Sequence, residues 1–448
     1  MTPRPFFTMF VAILFLAACA PQATSTPETT APPIPKPLEN AAPGELFIDP
    51  EASLGPISPF IYGSNYGPWT AVPADMLQVA YDSKITVLRW PGGAWGDNNV
   101  IQTSQLDYFM AFCQKMGAIP TISVRLKNGT PEAAAELVRY ANIDKGYNIL
   151  YWSIGNEPTL FEAEMNETYD TVRFNREWRA IAEAIKAVDP TIKLMGPELH
   201  QWGPTLETTL KDSSGRDWMV EFLKANGDLV DIVTVHRYPL WRDGRTQVTI
   251  DDLRNNTPEW TEMVIFLRGM IQELTGRDLP IAFTEVNSSP TAALLRIGTP
   301  DSFYNAIWYA DVVGRLIQQD VFMLNQFVLA NRNGGLGLIY GSQIRPTYYI
   351  FQMYSQFGCD LVHTSSGVTN VSIYAAKRED GTLTVMVVNL SDVEQRLPLR
   401  STFPLGDAQE YWLFDATHNA EKLGRQPLLT DGLLRLPPQS VSLYVIGE

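Results

Sequence analysis

The sequence predicts an α/β protein: a (β/α)8 barrel of the TIM type followed by a C-terminal antiparallel β-sandwich. Three observations carry this. Eight apolar, strand-like runs alternate with helical stretches over residues 57–329, which is the pattern of a parallel sheet and the number a closed barrel needs. After about residue 360 the helical stretches stop and alternating strands take over. Finally, 448 residues with 45% hydrophobic content are enough to bury one large core and a smaller one.

The strand runs fall at 57–64, 84–90, 118–125, 148–157, 191–197, 231–238, 280–287 and 321–329. Helix starts are readable between them. At Thr130-Pro131-Glu132 and Thr257-Pro258-Glu259, a capping hydroxyl precedes proline in the first turn. The run 169–188 stops before Asp189-Pro190, because the residue before proline resists helical geometry. A helix capped by Ser104 and ended by Gly117 carries the apolar stripe Leu106, Phe109, Met110, Cys113, so Cys113 reads as a buried thiol. In the last region, 371–377 and 383–389 flank a Glu379-Asp380-Gly381 turn, and 410–414 and 441–446 add further strands. Residues 44–49, ahead of the barrel, can supply one more strand to that sandwich. The domains are therefore expected at 44–358 for the barrel and 359–448 for the sandwich.

The N-terminus reads as an export signal. Arg4 precedes an apolar run from Phe6 to Leu16, too short to span a bilayer. Leu16-Ala17-Ala18-Cys19 resembles a bacterial lipobox, which implies lipidation at Cys19, a signal peptide over 1–19 and a cell-surface location, with the membrane as partner through the lipid. Residues 20–43, rich in Pro, Thr and Ala, read as a semi-extended tether.

Charge and composition exclude other classes. A net charge of −15, from 34 basic against 49 acidic residues, leaves no electrostatic footprint for nucleic acid. With four histidines, three cysteines and no metal-ligand spacing, neither a metal nor another cofactor is expected.

Two strand ends carry the chemistry. Tyr-Trp-Ser-Ile-Gly-Asn156-Glu157-Pro158 and Ile-Ala-Phe-Thr-Glu285-Val-Asn287 each run from apolar residues into a glutamate, which a buried strand does not keep charged without a partner. A pair of carboxylates on rigid strand ends suits glycosidic cleavage, where one acid protonates the leaving oxygen and one carboxylate attacks or stabilises the anomeric carbon. Leu88-Arg89-Trp90-Pro91-Gly92-Gly93 ends the second run, where an arginine can hydrogen-bond an attacking carboxylate. His236-Arg237-Tyr238 ends the sixth, where a tyrosine hydroxyl can orient that carboxylate and a histidine can position substrate or tune the acid. Glu198, after the fifth, is a third carboxylate that competes for a catalytic role. Trp69, Trp90, Trp95, Trp202 and Trp241 fall in loops suited to stacking on sugars, and Gln326 or Asn325 can meet a hydroxyl.

On these motifs the chain resembles the clan of retaining glycoside hydrolases built on a TIM barrel. The resemblance implies Glu157 as acid/base with Asn156 beside it, and Glu285 as nucleophile. Ile57-Ser58-Pro59-Phe60-Ile61-Tyr62-Gly63 and the Pro-Gly-Gly turn are similar to arabinofuranosidase, endoglucanase/xyloglucanase and xylosidase members. Val286 departs from the Tyr or Trp that often follows the nucleophile. The implied activity is hydrolysis of a plant or microbial β-glycan, with an oligo- or polysaccharide as partner. An exo-acting α-L-arabinofuranosidase or β-xylosidase is the alternative enzyme, and a non-catalytic carbohydrate-binding lipoprotein is the alternative of another class.

Overall fold

The computed structural model describes residues 38–240, 247–290 and 296–447. Residues 39–447 belong to one compact unit. Cys19, the signal and most of the tether lie outside the described residues, as does Trp241.

Strand β1 (Leu46–Pro56) precedes the barrel. Strands β2 (Gly63–Asn65), β3 (Val87–Trp90), β4 (Ile119–Val124), β5 (Tyr151–Ile154), β6 (Lys193–Leu199), β7 (Ile232–Arg237), β8 (Ile281–Val286) and β9 (Met323–Gln326) close into a parallel barrel, β9 pairing back onto β2. All eight sit within the runs the sequence marks, shortened at their edges except that β2 and β6 run slightly past them. The largest trimming is at β2, because Ser58-Pro59 starts a 3-10 turn over Pro59–Ile61, with the Ser58 hydroxyl accepting from the Phe60 N–H. That turn aims Phe60 at the barrel floor, where it packs on Tyr151 and Phe322 at centroid distances of 5.4 and 4.8 Å. Val87, Met195, Ile232, Ala282 and Met323 fill the space above this plug.

The helices cover the outside. Thr171–Val188, capped by Asp170, buries Phe174, Trp178, Ile181, Ala182 and Ile185, a stripe at helical spacing. Thr130 caps its helix through a bond from the Ala133 N–H. Two caps differ from the sequence reading. The helix Thr103–Met116 starts one residue before Ser104, with the Gln102 N–H donating to Gln105 Oε1 and the Gln105 N–H to the Gln102 carbonyl. The helix Glu259–Thr275 follows directly on Ile250–Asn256, so Thr257 serves as the C-cap of the first, and its carbonyl, not its hydroxyl, meets the Trp260 N–H.

The C-terminal region forms an eight-stranded sheet. Its core is the antiparallel set Asp360–Ser366, Val371–Lys377, Leu383–Asn389 and Ser440–Ile446, and β1 adds to Asp360–Ser366. The second layer of the sandwich is small: a ribbon of Gln395–Leu397 with Leu434–Leu436 covers Leu46, Val371, Ile373 and Val385. The other sheet face joins the barrel core through Tyr374, Met386, Phe414 and Leu443, and the Tyr374 hydroxyl donates to Asp311 Oδ1 at 2.5 Å. Residues 39–43, read from sequence as the end of the tether, are held against this sheet. The Ala41 N–H donates to Ser365 Oγ and Arg400 pairs with Glu39.

Candidate active site

The C-terminal ends of the barrel strands build a cleft of about 700 Å3, lined among others by Gly93, Asn156, Glu157, His200, Tyr238, Glu285 and Phe327. Strand alternation explains who faces it. In β3, Arg89 points into the barrel, so its neighbour Trp90 points outward, where it stacks on Phe109 at 5.2 Å.

Glu285 near the end of β8 is 3% exposed and has both oxygens occupied. Oε1 accepts from Arg89 Nη1 at 2.8 Å and from the Gly93 N–H at 2.9 Å; Oε2 accepts from the Tyr238 hydroxyl at 2.9 Å. The Gly93 bond requires the Pro-Gly-Gly turn. At φ +61° the backbone lies in the left-handed region, which brings the amide onto the carboxylate.

Arg89, fully buried, forks across the barrel. Nη1 also reaches Asn65 Oδ1 at 3.0 Å, and Nη2 reaches Asn156 Oδ1 at 2.8 Å and Glu198 Oε2 at 3.4 Å. Burial opposes its charge, but Glu198 and Glu285 outweigh that and raise its pKa.

Glu157 is the more open carboxylate, its side chain 20% exposed against 5% for Glu285. Its backbone sits at φ +51°, a left-handed conformation rare outside glycine, and the strain is held by a bond from its N–H to the Glu198 carbonyl at 3.0 Å. Asn156 is fixed by the bond from its N–H to Asp97 Oδ2 at 2.7 Å. Asp97 also takes the Leu126 and Lys127 amides, and burial pushes its carboxyl up to about 6.

His236 bridges the carboxylates. Nδ1 lies 2.9 Å from Glu157 Oε1 and 3.7 Å from Glu285 Oε2, and Nε2 lies 2.9 Å from Glu198 Oε2. Burial alone would depress the imidazole, but Glu285 and the bonds to Glu157 and Glu198 raise it to about 9. The imidazolium in turn outweighs burial at Glu157 and lowers that carboxyl.

Several candidates lie elsewhere. Trp90 and Trp202 are not sugar platforms, since both are buried, Trp202 stacking on Phe266 at 5.7 Å. Trp95 opens the short helix Trp95–Asn98 and is not part of the cleft wall. Gln326 is buried, and its amide is spent on the Leu336 carbonyl and the Ser64 hydroxyl. Asn325 is buried too, with its amide 3.6 Å from the Met323 sulfur. Glu198 is fully buried beneath the cleft, so it does not compete for a role at the reacting atoms. Trp69 is 37% exposed and stacks on Phe327 of the cleft wall.

Sequence reading missed Asn65, Asp97, His200, Gln201 and Phe327. His200 contacts the Thr159 hydroxyl, and burial lowers its pKa. Its signal was modest: one of only four histidines, two residues past a strand-end glutamate.

Among the described residues, one group brings three ligating side chains together: Glu157, His236 and Glu285, with atoms within 4.8 Å of one another. Both His236 nitrogens face carboxylates and the ring is cationic near neutrality, so this donor set suits proton transfer rather than a metal ion.

The sequence profile of the glycosyl hydrolases family 39 matches residues 132–357, half of the chain, including both strand-end glutamates. The chain belongs to that family. Among curated proteins it is 25% identical to a probable alpha-L-arabinofuranosidase C of Aspergillus fumigatus, covering 74% of this chain and 79% of the relative. It is 25% identical to alpha-L-arabinofuranosidase C of Emericella nidulans over 35% of this chain and 42% of that protein. Rat heparanase is 23% identical over 67% of this chain and 57% of its own length. The chain thus spans about half the length of these last two. Among solved structures, an alpha-L-arabinofuranosidase from Thermotoga maritima superposes with a TM-score of 0.71 at 19% identity, covering 90% of this chain and 100% of that one. A Paenibacillus polymyxa xyloglucanase gives 0.69 at 16% identity, over 90% and 99%. At these identities the structural likeness speaks for the fold: a family 39 chain with the barrel-and-sheet architecture of those enzymes.

Proposed function

We propose that this family 39 protein is a retaining glycoside hydrolase acting on a plant or microbial glycan by double displacement. The observation that carries the reading is the spacing of the two cleft carboxylates. An oxygen of Glu157 and one of Glu285 lie within 4.8 Å. Retaining enzymes hold the pair at about 5–5.5 Å, while inversion needs roughly 6.5–9.5 Å to admit a water.

The division of labour follows from the environments. Glu285, with its negative charge held by Arg89, Gly93 and Tyr238, attacks the anomeric carbon and becomes the glycosyl ester. Glu157, more open and in contact with His236, protonates the departing oxygen, then deprotonates the water that hydrolyses the ester. Asn156, with its carbonyl oxygen bonded to Arg89, presents its amide to the cleft for a sugar hydroxyl.

Similarity to arabinofuranosidases of Aspergillus and Thermotoga supports a second reading of the substrate: an exo-acting α-L-arabinofuranosidase, with β-xylosidase as its neighbour in sugar size. Digestion of a polysaccharide panel with product sizing separates the two. Ladders of oligosaccharides support the glycan reading, and single pentoses support the exo reading. Wild-type protein that binds glycans without releasing reducing ends supports the binding-lipoprotein alternative.

The Leu16-Ala17-Ala18-Cys19 motif supports export and lipid anchoring at Cys19. No helix among the described residues is long and apolar enough to cross a membrane. Cys19→Ser is expected to release the protein from the membrane fraction with its fold intact; unchanged fractionation contradicts the anchor.

A further inference from the structure

Five charged groups meet at the cleft floor; Glu157 and Glu285 line the cleft, and Arg89, His236 and Glu198 lie buried beneath it. Arg89 and His236 are the cations; Glu157, Glu198 and Glu285 are the carboxylates. Glu198 is 0% exposed, yet it is among the most heavily bonded side chains of the cluster. Its Oε2 receives His236 Nε2 at 2.9 Å, Arg89 Nη2 at 3.4 Å and the Thr284 hydroxyl, and its Oε1 receives the Ser153 hydroxyl at 2.5 Å. Its own backbone is strained at φ +57°, and its carbonyl accepts the Glu157 N–H. A buried carboxylate with this many donors is built to stay charged.

We propose that Glu198 is a positioning residue that acts through His236, fixing the imidazole against Glu157 and keeping on Glu157 the proton that the leaving group needs. This rests on the glycosidase reading above. Charge balance in the cluster supports it. With Glu198 present, two cations face three carboxylates, and the cluster is neutral when one of them carries a proton. The imidazolium lowers Glu157, and the Glu198 charge on the far ring nitrogen offsets part of that lowering, so Glu157, the most open of the three, is the one placed to take up the proton. Without the Glu198 charge, Arg89 and His236 already balance Glu285 and an ionised Glu157, so Glu157 gives up its proton more easily. The groups facing His236 are Glu157 from the end of β5, Glu198 from β6 and Glu285 from β8; Arg89 from β3 meets the last two, and the Tyr238 hydroxyl past β7 meets Glu285 Oε2. His200, on the rim beside Glu157, has its pKa lowered by burial and adds no charge near neutrality.

The test is Glu198→Gln, which keeps the shape and removes the charge. The basic limb of the kcat/KM profile should move to lower pH by about one unit, because the acid form of Glu157 is lost earlier. Turnover should fall roughly tenfold or more on substrates with poor leaving groups, while an aryl glycoside with an activated leaving group is nearly spared. Glu198→Gln combined with His236→Gln should lose no more than His236→Gln alone, since the effect travels through the imidazole. Equal losses on both substrates with an unmoved profile, or additive losses in the double variant, overturn the proposal. If Glu198→Gln does not fold, Glu198→Asp keeps the charge but draws it back by one methylene from His236 Nε2, and should move the same limb in the same direction by less; an unmoved limb overturns it. The His236 titration, read by 15N NMR, needs no turnover and should move down in Glu198→Gln. An unmoved titration in a protein that hydrolyses glycosides refutes this inference and leaves the glycosidase reading standing.

Discussion

Replacing His236 by glutamine should change how stability depends on pH, with a sign set by the direction of the histidine's shift. The imidazole is fully buried between three carboxylates and is raised to about 9 from the usual 6.5. A group whose pKa rises on folding contributes stability that is complete below the unfolded value and is lost as pH climbs through the folded one. The interval from 6.5 to about 9, at roughly 1.36 kcal/mol per unit, comes to about 3 kcal/mol. Denaturant unfolding followed by tryptophan fluorescence, at about pH 6 and about pH 10, reads it directly. Wild type should lose on the order of 3 kcal/mol between the two conditions, and His236→Gln much less, so that the gap between them closes at alkaline pH. Parallel behaviour of the two proteins would refute the placement of a cationic His236 in the cluster.

Other outcomes follow from the same cluster. Glu198, lowered to about 2 despite its burial, contributes stability present above the ordinary carboxylate range and lost as pH falls toward 2, so wild type should weaken in acid and Glu198→Gln should flatten that acid limb. Arg89→Met removes the cation shared by Glu198 and Glu285 and should cost about 3–5 kcal/mol of stability in a denaturant titration; a loss under 1 kcal/mol would contradict a shared buried ion pair. Glu157→Ala should retain activity best on aryl glycosides with activated leaving groups and gain rate from added azide, whereas Glu285→Ala should lose turnover on natural and aryl glycosides alike; equal, substrate-independent losses in both variants remove the role assignment. Trp69→Ala should raise KM roughly tenfold and Trp202→Phe should leave it unchanged, because Trp69 is exposed at the cleft rim and Trp202 is core; the reverse ranking would return Trp202 to the substrate path.

The barrel was legible because parallel strands buried on both faces write themselves as apolar runs, and the strand ends that build the cleft break those runs with a charged residue. Glu157, Glu285, Arg89 and His236 all show that break, and the structure brings all four within one hydrogen-bonded cluster. Position along a strand was legible, but side-chain direction was not. Trp90 adjoins Arg89 in sequence and so faces the opposite layer, a consequence of alternation that composition does not weigh. Trp202 follows a strand end as a platform residue does, yet turns back onto Phe266. Glu198 read as a rim carboxylate because nothing in the sequence says how deep β6 carries it; the depth comes from Arg89, Ser153 and Thr284 converging from three other strands. Asp97 and Asn65 were silent because their roles are bonds to backbone and to a neighbour's side chain across the barrel. The shallow second layer of the sandwich was hidden for a similar reason: strands of three residues carry too few positions to show alternation.

The central claim is that Glu157 and Glu285 perform two successive displacements at one anomeric carbon. Proton NMR of the first product formed, on a glycoside the panel identifies as a substrate, tests it most directly. The account predicts that the hemiacetal is released first with the anomeric configuration of the substrate and only later equilibrates; initial release of the opposite anomer would contradict it, whatever the substrate proves to be.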